Sequence, residues 1–155
     1  MKRTRGRLFL CLALLTVNLL FIWGNSLLPE GTSSVFSSWV KDILARIFPG
    51  LNAGGGDRGH AMVRKLAHFS EFALLGLLLR WLFAMLLTRT FPQLGMPLLG
   101  GFLVACLDEI IQSFVPGRNP SFLDVGIDTA GVVLGIVLIT LIHNQIIKSN
   151  KGVKL

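Results

Sequence analysis

Four long apolar runs limit what this chain can fold into. They cover residues 8–28, 66–87, 96–115 and 123–142, and each approaches the roughly 20 residues that a helix needs to cross a bilayer. Only helices and closed barrels satisfy their backbone hydrogen bonds in lipid, and none of the runs alternates apolar and polar residues as a barrel strand does. The sequence therefore predicts an all-α membrane protein with four transmembrane helices, formed by a single domain over residues 1–155.

The composition excludes most soluble functions. Hydrophobic residues make up 52% of the chain and charged residues only 15%, whereas soluble domains carry about 25% charged residues. This excludes an ordinary soluble enzyme and a disordered tail. The net charge of +7 does not indicate nucleic-acid binding, because the cations flank the apolar runs as they do in membrane proteins. The only cysteines, Cys11 and Cys106, lie inside apolar runs and form no metal-binding motif.

The first run allows two interpretations. A basic segment from Lys2 to Arg7 precedes it, as in a signal peptide, and Ser26 lies at a weak cleavage site. However, the run continues to Leu28 and contains Trp23, which suits a membrane-interface anchor. We therefore favour a retained transmembrane helix over a cleaved leader.

Basic residues also predict how the chain is oriented. The N-terminal cluster, Arg89 in the second loop and the lysines of the C-terminal tail fall on one side of a four-span protein. Since basic loops stay in the cytoplasm, we expect both termini there. Arg80 lies about 22 Å beyond Lys65 at 1.5 Å per residue, so we expect it to extend to the cytoplasmic headgroups.

The first extracytoplasmic loop contains one further predicted element. Between about residues 34 and 48, apolar side chains recur at helical spacing with polar residues on the opposite face. The segment is too short to span a membrane. It therefore predicts a short amphipathic helix that lies on the outer leaflet or against the bundle.

Three of the four spans carry polar side chains that lipid disfavours. A charge at the bilayer centre costs about 2.5–3.5 kcal/mol, so such residues face other helices or serve a function. Helical spacing places His68 and Glu71 on one face of the second span. Asp108 and Gln112 share a face of the third span. All of the polar residues lie within about 10 Å of the outer ends of their helices, which predicts one shallow polar pocket that opens outward. The predicted pocket residues are Lys65, His68, Glu71, Asp108, Glu109, Gln112, Arg118, Asp124 and Asp128.

A purely structural interpretation stays open. Pairs such as His68 with Glu71, or Arg118 with Asp124, can neutralise each other and hold helices together. Asp124 by itself suits an N-cap. In the fourth span, the GxxxG motif at residues 131–135 predicts close packing against another helix.

The polar strings resemble those of the VanZ-like family of bacterial membrane proteins. They are KLAHFSE at residues 65–71, DEIIQSFVPGR at 108–118 and DVGIDTAG at 124–131. The resemblance implies a multi-pass protein of the bacterial cytoplasmic membrane. The namesake of the family contributes to teicoplanin resistance, but the family supplies no catalytic role that can be assigned to these residues. The family often has asparagine where this chain has Asp128.

Three functions are compatible with the sequence. We favour a non-catalytic protein whose pocket binds a cell-envelope or lipid-linked ligand, such as a cell-wall precursor, with membrane lipids as partners and without a cofactor or bound metal. The alternative is a membrane-embedded hydrolase or transferase, although the chain lacks GxSxG and HExxH motifs. A proton-coupled carrier is third, since the inner half of the spans is almost wholly apolar. The catalytic candidates of the alternative are His68, Glu71, Asp108 and Glu109, some of which would bind a metal if one is used.

Overall fold

The structure, a computed structural model, describes residues 2–28 and 57–152. These residues form four α-helices and no strand: α1 (Lys2–Ser26), α2 (Asp57–Leu86), α3 (Thr90–Ser113) and α4 (Phe122–Gly152). Each helix is long and apolar enough to cross a membrane. The predicted all-α fold with four transmembrane helices is therefore confirmed. The amphipathic helix predicted near residues 34–48 lies outside the described residues.

The third helix begins earlier than its apolar run predicts. α3 starts at Thr90 rather than near residue 96 and contains Pro97. Pro92 lies in its first turn, where backbone N–H groups have no partner within the helix, so the missing donor of proline costs nothing there. The helix therefore begins before the apolar run that predicts it.

The second helix is the centre of the bundle. α2 packs most extensively against α4 and also contacts α1 and α3, and α3 contacts α4 in turn. Contacts between side chains show which helix ends meet. Ser26 at the end of α1 bonds Asp108 near the end of α3, and Lys65 of α2 pairs with Asp124 at the start of α4. We call this end of the bundle the polar end.

Glycines bring α2 and α4 into backbone contact. A Cβ atom at Gly135 would collide with the carbonyl oxygen of Ala73, and one at Gly131 would collide with the carbonyl oxygen of Phe69. From the other side, Gly76 lies against the backbone of Val132. The close packing predicted from the GxxxG motif is therefore confirmed, and the partner helix is α2.

The core is apolar, and so is the outer surface. Phe9 is 77% exposed and Leu103 is 57% exposed, as expected of side chains that face acyl chains. Both cysteines are free thiols, with Cys11 buried and Cys106 partly exposed. The buried core residues are Cys11, Leu15, Ile22, Phe72, Leu75, Leu78, Ala105, Val132 and Ile136.

Arg80 does not lie where the sequence predicts. It is only 7% exposed, and its Nε atom is buried without a hydrogen-bond partner among the described residues. The expectation that Arg80 extends to the headgroups is therefore wrong. The reason is its position on α2: Phe72, Gly76 and Arg80 follow one another at i, i+4 and i+8 on a buried stripe.

The α2–α4 contact yields a stability prediction. Gly135→Ala should lower the thermal unfolding midpoint in detergent, because the added methyl meets backbone atoms of Ala73 and Leu77 that cannot rotate away. Overpacking of this kind costs about 1–3 kcal/mol. Gly95→Ala is the matched control, since a Cβ at that helical position meets nothing within 4 Å. Equal midpoints for the two variants would contradict the close approach.

Candidate functional site

Asp108 is the most deeply buried ionisable group at the polar end, with 0% exposure. Its Oδ1 atom accepts a hydrogen bond of 2.6 Å from the Ser26 hydroxyl. Its Oδ2 atom accepts one of 2.8 Å from Nε2 of Gln112, which lies one turn further along α3. Two donors from two helices therefore fix the orientation of this carboxylate.

His68 and Asp128 approach the same carboxylate from the neighbouring helices. Nδ1 of His68 lies 3.8 Å from Oδ2 of Asp108, which is too long for a hydrogen bond. His68 is 8% exposed and Asp128 only 2% exposed. One nitrogen or oxygen atom from each of the three side chains lies within 4.8 Å of the others. We call His68, Asp108 and Asp128 the buried triad.

A small polar pocket opens beside the triad. Its volume is about 20 Å³, which is room for one water molecule or one ion. The pocket includes two triad members, and most of its other lining residues come from the predicted set. The lining residues are Arg64, Lys65, His68, Glu109, Gln112, Asp124, Ile127 and Asp128.

The entrance to this pocket is held by an ion pair between helices. The ammonium of Lys65 contacts Oδ1 of Asp124, and both side chains are partly exposed. Asp124 is not the N-cap of α4. Ser121 has that role, because its hydroxyl oxygen accepts a hydrogen bond of 3.2 Å from the backbone N–H of Leu123.

Arg118 joins the end of α1 to α3. Its guanidinium donates to the carbonyl oxygens of Asn25 and Leu28 at 3.1 Å and to Oε1 of Gln112 at 3.3 Å. The last carbonyls of a helix have no partner within it, so Arg118 satisfies the C-terminal end of α1. The side chain is 8% exposed and does not line the polar pocket.

Glu71 lies beside α1 rather than in the polar pocket. Its Oε1 atom accepts a hydrogen bond of 2.9 Å from Asn25, and its Oε2 atom is buried without a partner among the described residues. Nδ2 of Asn18 reaches the backbone carbonyl of Glu71 at 3.4 Å. Glu71 therefore does not line the polar pocket, and its carboxylate is bonded to α1 instead.

Sequence reasoning missed the contribution of α1. Asn18, Asn25 and Ser26 all bond groups of α2 or α3, yet the sequence interpretation confined polar residues to the other three spans and treated Ser26 only as a weak cleavage site. A signal was present, because Asn18 and Asn25 are seven residues apart and so share a helical face. Of these three α1 residues, Ser26 contacts the buried triad through its hydrogen bond to Asp108.

An apolar groove between α3 and α4 meets the polar pocket at Glu109. The groove encloses about 740 Å³ and is lined mainly by apolar groups, among them Phe102, Cys106, Ile110 and Val125. Glu109 lines both the groove and the polar pocket. Its Oε2 atom accepts a hydrogen bond of 2.7 Å from the backbone N–H of Ser121, which fixes the carboxylate at the boundary.

Comparison with known proteins places this architecture in a family. The family model described as VanZ/LLP1 matches residues 8–143. The chain belongs to the VanZ/LLP1 family. No curated protein and no solved structure matches it. The VanZ/LLP1 match begins within α1 and ends within α4, and it includes every residue of the polar pocket and of the buried triad.

The contacts of Arg118 predict a structural role for it in this VanZ/LLP1 protein. Arg118→Ala should lower the free energy of unfolding by about 2 kcal/mol, because the partly buried carbonyl oxygens of Asn25 and Leu28 lose this charged donor. Denaturation by SDS titration in mixed micelles measures this loss. Arg89→Ala is the control, since Arg89 is exposed and should change stability by less than about 0.5 kcal/mol. Similar losses for both variants would argue against the bridge to α1.

Proposed function

We propose that this VanZ/LLP1 protein binds a lipid-linked ligand of the cell envelope at the polar end of the bundle. The observation that carries the proposal is that the apolar groove and the polar pocket share Glu109. A ligand with a hydrocarbon chain and a polar headgroup matches that pair of surfaces. Neither a sugar nor an ion alone uses the groove.

The sizes of the two cavities suggest how such a ligand is held. The groove, at about 740 Å³, is within the range of ordinary ligand sites and takes the hydrocarbon chain. The polar pocket, at about 20 Å³, is too small for a headgroup, which would instead lie at the entrance against Lys65 and Asp124. A phosphate there would compete with Asp124 for the ammonium of Lys65.

Binding from the cell envelope requires the polar end to face outward. We propose the cytoplasmic membrane with both termini in the cytoplasm, since the basic residues at the opposite end include the N-terminal cluster and Arg89. The link to teicoplanin tolerance is carried only by the family resemblance. A deletion strain with unchanged teicoplanin sensitivity would remove that link and leave ligand binding unaffected.

A membrane-embedded hydrolase or transferase is the second candidate. It is favoured by the position of His68, whose Nδ1 atom is buried without a partner among the described residues and lies 3.8 Å from Asp108. Of the other catalytic candidates, Glu71 is bonded to Asn25 and Glu109 to the backbone of Ser121. Release of a headgroup from a lipid-linked substrate by the purified protein would favour this candidate over simple binding.

A larger side chain in the groove tests whether the hydrocarbon chain of a lipid-linked ligand binds there. Gly126 lines the groove, and a Cβ atom added there meets nothing within 4 Å. Gly126→Leu should therefore fold normally and displace a hydrocarbon chain, lowering affinity by about tenfold, or 1.4 kcal/mol. Native mass spectrometry with added polyprenyl phosphate or phosphatidylglycerol measures retained lipid and tells the two chain types apart.

The control for this experiment is Gly95→Leu, which adds the same side chain at a position of α3 that is equally open and lies outside the groove. It should retain lipid as the unmodified protein does. If Gly126→Leu also retains both lipids fully, the groove is not the binding site and the proposal fails.

The orientation has its own test. Alkaline phosphatase fused after residue 50 should be active in intact bacteria, because this enzyme folds only outside the cytoplasm. Fusions after residue 88 and after residue 155 should be inactive, since the basic residues near those positions hold them inside. The reverse activity pattern would place the polar end in the cytoplasm.

A further inference from the structure

The buried triad has the composition and spacing of a cation site. His68, Asp108 and Asp128 come from α2, α3 and α4, and each offers one ligand atom within 4.8 Å of the others. Metal–ligand bonds of about 2.0–2.2 Å put two ligands of one ion at most roughly 4.4 Å apart. Three ligands of a tetrahedral ion lie about 3.4 Å from one another, so atoms at the 4.8 Å limit would need to close by about 1.4 Å to share an ion.

A second observation concerns the imidazole of His68. His68 is 8% exposed, yet its Nδ1 atom has no hydrogen-bond partner among the described residues and faces Oδ2 of Asp108 at 3.8 Å. A buried ring nitrogen without a hydrogen-bond partner is unfavourable. Asp128, at 2% exposure, adds a second buried carboxylate beside Asp108. A cation between the two carboxylates offsets their repulsion and supplies the partner that His68 lacks.

The surroundings of the triad fit an ion in two further ways. The adjacent pocket of about 20 Å³ touches both His68 and Asp128, so there is room for one ion or its bound water. In addition, Asp108 is oriented by hydrogen bonds from Ser26 and Gln112. Hydrogen bonds to ligating carboxylates are the usual second layer of protein metal sites.

We propose that His68, Asp108 and Asp128 bind one divalent cation of the Zn²⁺ or Mn²⁺ type at the polar end. Imidazole nitrogen suits Zn²⁺, and carboxylate oxygens suit Mn²⁺ and also bind Zn²⁺. The proposal does not depend on the lipid-linked ligand, since the triad lies outside the lining of the groove.

Metal titration of the purified protein tests the site. The full chain, carrying an affinity tag without histidine and freed of metal by a chelator, is titrated with ZnCl₂ and separately with MnCl₂ in detergent. We expect about one ion per chain, by calorimetry and by elemental analysis after desalting. His68→Gln and Asp128→Asn should each weaken binding by at least about tenfold, and Ser26→Ala by about tenfold through loss of its bond to Asp108.

The matched control is His143→Gln, which removes an exposed histidine of α4 and should leave binding unchanged. Asp128→Asn keeps the size of the side chain, so it decides the outcome if His68→Gln elutes as an aggregate. The proposal is overturned if the unmodified chain binds neither ion. It is also overturned if Asp128→Asn binds as tightly as the unmodified chain. No lipid enters the assay, so its result stands whatever the Gly126→Leu experiment gives.

Discussion

The close approach of α2 and α4 sets the geometry of everything at the polar end. Gly131 of α4 lies against the backbone carbonyl of Phe69 in α2. His68 directly precedes Phe69, and Asp128 lies almost one helical turn before Gly131. Backbone contact at the glycines therefore fixes the separation of His68 and Asp128 with little freedom for either. With bulkier residues at the crossing, the two helices would separate and the triad would open.

The cost of burying ionisable groups explains why the polar side chains form a connected network. A buried carboxylate in a membrane-spanning bundle needs hydrogen-bond donors from the protein itself, and Asp108 finds one on α1 and one on its own helix. Ser26 and Gln112 supply them, and Gln112 in turn accepts a bond from Arg118. Through Arg118 the network reaches the carbonyls of Asn25 and Leu28. The first helix is thus held by polar bonds at one end and by apolar packing along its length.

The sequence predicts the parts of this structure that depend on one helix at a time. Apolar length gives the four spans, and the glycine spacing gives a close helix crossing. Spacing along α3 also places Asp108 next to Gln112, which the structure confirms as a direct hydrogen bond. The sequence does not predict how each helix is rotated about its own axis relative to the other helices. That rotation buries Arg80 and turns Glu71 toward Asn25. It also directs Ser26 to Asp108, a contact that no pattern within α1 specifies.

Glu109 lies at the boundary between the apolar groove and the polar pocket. Asp108 and Glu109 are consecutive, so they point about 100° apart around α3. Asp108 faces the bundle interior at 0% exposure, and Glu109 lies at the boundary of groove and pocket at 7% exposure. A cation held by the triad would lie on the pocket side of that boundary, where it adds positive charge near Lys65. An anionic headgroup at the pocket entrance would then meet two positive groups, while its chain passes Glu109 into the groove. The adjacent acids of α3 thus face two different surfaces: Asp108 faces the buried triad, and Glu109 the boundary between groove and pocket.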